Sequence, residues 1–170
     1  MDSNYLLRVI SASAAWLFVA QYSAAADMEQ TFVKYSKMVS DDAARDSMKL
    51  ALTKIHTAQC EANRPCAPAK PEEFSQMPIA LEDGRAAMTF AIISALSQWC
   101  GLDWKRSFLP MIGYGKYKKK MSDRQLQLMT LIHSDFMGRQ LAFYVKSGKT
   151  CPQELRTQFD GDLPKLSGDR

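Results

Sequence analysis

Between Arg85 and Asp103 the chain carries no charged residue. Within that interval Ala86, Ala87, Met88, Phe90, Ala91, Ile92, Ile93, Ala95, Leu96 and Trp99 leave almost no polar face at helical spacing. A helix that is apolar all round must be surrounded, either by other helices or by lipid. Thr89, Ser94, Ser97 and Gln98 interrupt the run, and its length only just approaches the ~20 apolar residues that a bilayer span requires. The expectation is therefore a central helix over residues 81–100, enclosed by neighbours that its alanines allow to approach closely.

The flanking sequence supplies those neighbours. Ser40 followed by Asp41 and Asp42 reads as a helix start, because a hydroxyl cap and early acids suit the positive end of a helix. Ala44, Met48, Ala51, Leu52 and Ile55 then recur at steps of three and four. Upstream, Phe32, Tyr35 and Val39 share a face, so the chain either breaks at Ser40 or runs on from about residue 28 as one helix. Pro65, Pro68, Pro71 and Pro78 make residues 61–79 an irregular connection, either a functional loop or a wrapper on the bundle. After Gly101, Asp103 caps a short helix bearing Trp104, Phe108 and Met111, which Pro110 kinks or ends and which Gly113 and Gly115 then loosen.

Ser122 with Gln125 forms a capping box for a long helix over 122–147. Met129, Ile132, Phe136 and Phe143 line one face of it, and Gly148 ends it. A last helix follows, with Thr150 as its cap, Pro152 in its first turn, and Leu155 and Phe159 facing inward. No hairpin signal or internal repeat competes with this pattern. The fold class expected is all-α: a compact bundle of four to five helices around the central apolar helix, stapled by disulfides.

The staples follow from the leading residues. Arg8, the apolar run Val9–Ala20 and the small-residue stretch ending in Ala24-Ala25-Ala26 have the order of a cleavable secretory signal. On that reading residues 1–26 are a signal peptide, 27–165 a single helical domain and 166–170 a disordered tail, and the protein is periplasmic or secreted. No transmembrane span is expected in the mature chain. Export places Cys60, Cys66, Cys100 and Cys151 where thiols oxidise. Four cysteines allow three pairings. Cys60–Cys66, across the turn at Arg64-Pro65, with Cys100–Cys151 is the favoured one.

Catalytic signatures are sparse. There is no G-x-S-x-G elbow, no H-E-x-x-H zinc helix and no C-x-x-C pair. Gly148-Lys149-Thr150 has the ending of a phosphate loop, but Phe143 stands where the first glycine would be needed. His56, Cys60 and Cys66 have no familiar zinc spacing. Met77, Met88, Met111, Met121, Met129 and Met137 fall at helical positions, as gap-filling core residues do, rather than as a copper site. His56 and His133 read as structural, unless they meet across the bundle near Asp46 or Asp135. No catalytic residue, metal or cofactor is assigned.

The strongest functional signal is charge. Residues 103–124 hold Lys105, Arg106, Lys116, Lys118, Lys119, Lys120 and Arg124 against Asp103 and Asp123, a net of +5, whereas the whole chain is +4. The positive charge is thus local, and Trp104, Tyr114 and Tyr117 are interleaved with it. Such a segment suits an anionic surface or an acidic partner, and export makes nucleic acid an unsuitable one. The expected contact residues are Lys105, Arg106, Tyr114, Lys116, Tyr117, Lys118, Lys119, Lys120 and Arg124. The corresponding function is that of a binding or accessory protein of the cell envelope. Two other classes stay open. One is a small envelope hydrolase using a carboxylate such as Glu82, Asp83 or Asp103, or a histidine. The other is a soluble chaperone or inhibitor of an exported protein.

Overall fold

The computed structural model describes residues 36–61, 64–157 and 159–160. The proposed signal peptide, the stretch bearing Phe32 and Tyr35, and the 166–170 tail lie outside them. Helix α1 (Asp41–Thr53) begins at Ser40, whose extended backbone (φ −71°, ψ 155°) and side chain, accepting from the Ala43 N–H, separate it from the turn before it. A single 3-10 turn (Ile55–Thr57) follows. The connection then carries a short helix, α2 (Pro71–Ser75). Helix α3 (Leu81–Trp99) is the central helix, α4 (Lys105–Gly113) follows it, and α5 (Asp123–Lys146) is the longest. Residues 153–157 form a final helical turn. Among the described residues the only β pairing is an isolated bridge between Gln59 and Pro65.

Helix α3 is buried on nearly every side, as a helix without a polar face must be. Ala87, Ala91, Ala95, Ser94 and Ser97 have no exposed surface. Helices α1, α4 and α5 pack around it. One apolar cluster runs from Val39 through Met48, Ile55, Met88, Ile93, Met111, Met129 and Ile132 to Phe159. The buried methionines are therefore core fillers, which an unbranched side chain suits. No described helix is long and apolar enough to cross a membrane.

Both expected disulfides are present. Cys60–Cys66, with Cα atoms 4.9 Å apart, closes a loop that two backbone bonds also hold: Cys60 N–H to the Arg64 carbonyl at 2.8 Å and Cys66 N–H to the Ala58 carbonyl at 2.9 Å. Cys100–Cys151 joins the end of α3 to the chain after α5. With both thiols in that bond, Cys60 and Cys66 have no thiolates to offer a zinc ion.

The Pro-rich connection is a wrapper. Ala69, Phe74, Met77 and Ile79 pack on the core, and α5 reaches out to hold the segment. Arg124 donates to both Glu73 carboxylate oxygens, at 3.0 and 2.8 Å, and to the Ala67 carbonyl at 2.6 Å. Gln125 donates to the Pro78 carbonyl while its side-chain oxygen completes the capping box with Ser122.

One expectation is corrected and another narrowed. Phe143 does not join the inward face of α5. It is 67% exposed, because the last turns of that helix face the bundle with Leu141 and Tyr144, whose ring stacks on Trp99, and turn Phe143 outward. Pro110 does not end α4. It sits inside the helix, which then continues without interruption into a wider π-helical turn, Tyr114–Lys118.

A basic surface on a π-helical turn

Residues 105–118 form one helical rod rather than a loosened loop. Asp103 Oδ1 accepts from the Lys105 N–H at 3.0 Å and so satisfies an orphan donor at its start. At its far end the Lys119 N–H reaches the Tyr114 carbonyl at 3.1 Å, the five-residue step of a π turn. Gly115 explains why the rod stays attached. It is buried against α5, where a Cβ would lie 2.7 Å from Leu126 Cδ2 and 3.2 Å from Met121 Sδ. The glycine therefore serves close packing rather than looseness. Just past the rod, Lys120 has a φ of 54°, in the left-handed region that side chains rarely occupy.

The nine expected contact residues divide into two groups. Lys119 is anchored: its Nζ lies 3.2 Å from Asp83 Oδ1, on a carboxylate almost wholly buried at the start of α3. Asp83 raises the Lys119 pKa above its ordinary value. Arg124 is the strut to the Pro-rich segment described above, and its guanidinium holds the Glu73 carboxyl below its usual pKa. Arg106 lies 3.5 Å from Asp160. Tyr114 is half-buried, with Lys118 and Lys119 over its ring at 5.5 and 5.8 Å. The remaining five are exposed: Lys105, Lys116, Tyr117, Lys118 and Lys120. Among the described residues no carboxylate pairs with any of these four lysines. Lys116 rests over the Tyr117 ring at 5.8 Å.

Sequence reasoning missed Leu109 as a surface residue. It is 61% exposed and Tyr117 is 68% exposed. Leu109 follows Lys105 by four positions, so these two share an outer face of the rod, and Lys116 and Tyr117 are exposed on the π turn that continues it. The signal available in the sequence was this spacing. It was masked by reading Gly113 and Gly115 as breaks.

Behind the rod lies a sealed polar chain. His133 of α5 is 1% exposed, and its Nε2 lies 2.9 Å from Ser94 Oγ of α3. Ser94 Oγ lies 2.7 Å from Ser107 Oγ of α4, which also reaches the Trp104 carbonyl at 2.9 Å. The ring also donates to the Phe90 carbonyl, which leaves Nε2 to accept from Ser94. Burial pushes the His133 pKa down to about 4, and the rings of Phe108 and Trp104 cover it at 4.9 and 6.3 Å. A serine beside an imidazole resembles a nucleophile and its base, but both side chains are enclosed, and they link three helices. His56 is exposed on the 3-10 turn, whereas His133 is buried. Among the acids considered for hydrolysis, Asp83 is paired with Lys119 and Asp103 with a backbone N–H, while Glu82 is exposed.

An open depression of about 450 Å³ is lined by Cys60, Glu61, Arg64, Pro65, Ala67, Ser122 and Arg124, away from the outer face of the rod. No group of three potential metal-ligating acids, histidines or cysteines occurs among the described residues. Comparison with family models, with curated protein sequences and with solved structures yields no match.

Proposed function

We propose that this is an exported binding or accessory protein of the cell envelope that docks on an anionic surface or acidic partner through the 105–120 segment. The observation that carries it is the set of four exposed lysines, Lys105, Lys116, Lys118 and Lys120, without carboxylate partners among the described residues. Three of them fall within five residues, so each raises the cost of the others until an anion offsets it. The turn that bears Lys116 and Lys118 is π-helical, a geometry enriched at functional sites. Export draws its support from the leader and from two disulfides, which fit an oxidising compartment.

Binding to a soluble sulfated polysaccharide tests this. Affinity should fall steeply as salt rises, and replacing Lys116, Lys118 and Lys120 by Ala should cost about 1 kcal/mol per lysine, a loss of roughly a hundredfold in all. Salt-independent binding, or an unchanged triple variant, would contradict it.

A further inference from the structure

We infer that the anionic surface is a lipid bilayer, on which the 105–118 rod lies flat. This rests on the function proposed above and adds the identity of the surface. A hydrophilic polyanion would need only the lysines. The same rod also carries Leu109 and Tyr117, each more than three-fifths exposed. Lysines flanking a leucine and an amphipathic aromatic ring are the composition of a helix that sits at the boundary between headgroups and acyl chains. Tyr117 has a ring to bury and a hydroxyl to keep among headgroups. Its neighbour Lys116 already rests over that ring, so the cation and the apolar anchor face the same way.

Shape supports the same occupant. The outer face of a helix is convex, and none of Lys105, Leu109, Lys116 and Tyr117 lines the depression near Arg64. Two protruding apolar side chains are too small an area for a stable protein interface. A fluid bilayer needs no matching groove. Gly115, held close to Leu126, and Lys119, tied to Asp83, fix the rod to the bundle. The face is therefore presented ready-formed, without an ordering cost on binding.

The test uses the purified, disulfide-bonded protein with two probes: vesicles of phosphatidylcholine with or without phosphatidylglycerol, and soluble dextran sulfate. Wild type should bind the phosphatidylglycerol vesicles and dextran sulfate, both in a salt-sensitive way. Leu109→Ser and Tyr117→Ser should each weaken vesicle binding about tenfold and leave dextran sulfate binding within about twofold. Both side chains are exposed, so unchanged circular dichroism is expected of each variant. Equal vesicle binding by both variants and wild type would overturn the bilayer inference, as would equal binding to the two vesicle types. Binding to dextran sulfate but to neither vesicle would overturn it too, while leaving the electrostatic reading intact. Binding to neither probe would remove both.

Discussion

His133 is a base held in its neutral form by its surroundings. The unfolded imidazole takes its proton near pH 6.5, the folded one only near pH 4. Between those values the unfolded chain binds more protons, so stability falls as pH drops through this window. From near pH 7 to near pH 4.5 the loss from this residue should be about 2–3 kcal/mol, read as a shift in urea midpoint. Glu73 adds to the acid end: its folded pKa lies below 4.5, so its stabilisation is lost as pH falls below that value. His133→Gln keeps a donor and an acceptor for Phe90 and Ser94 but cannot titrate, and should flatten the dependence above pH 5. An unchanged slope in that variant would show that His133 is not its source. At Gly115, substitution by Ala forces a methyl group against Leu126 and should cost about 1–3 kcal/mol in chemical denaturation. Lys120→Gly, relieving a positive φ, should be neutral or stabilising by up to about 1 kcal/mol.

At the level of elements, the central helix and the long α5 were legible because each carries a local signal. One has an uncharged apolar run, the other a capping box followed by a periodic face. The rod was legible only in its charge. Whether two glycines in a helical stretch break it or permit close approach depends on what lies opposite, here Leu126 and Met121, and no local pattern encodes that. The division of the basic residues into anchors and free charges has the same origin, since Glu73 and Asp83 lie 51 and 36 positions from their partners. Arg124 is the clearest such case: counted as a surface contact, it instead ties α5 to the wrapper through Glu73 and Ala67. Arg124→Ala should therefore destabilise by about 1–3 kcal/mol, because it leaves the half-buried Glu73 carboxylate with only the Lys70 N–H and the Ala67 carbonyl without this donor. Thermal unfolding measures this, and a loss below about 0.5 kcal/mol would reassign Arg124 to the exposed group.

Over the whole molecule, a polar chain joins three helices and two covalent links brace the fold. The bridge between Cys100 and Cys151 spans 51 positions and that between Cys60 and Cys66 spans six. Chain entropy then assigns about 4 kcal/mol to the first and about 2 to the second. Replacing Cys100 and Cys151 by Ser should accordingly lower stability more than replacing Cys60 and Cys66, as paired denaturant titrations would reveal. The proposed contact with an anionic bilayer falls on residues 105–120. Amide chemical shifts of the labelled protein, followed as anionic bicelles are added, test it most directly. Perturbations should concentrate on residues 105–120 and spare the exposed Phe143 and Val145 at the far end of α5. Perturbations centred on Phe143 and Val145, or none along the rod, would contradict the account.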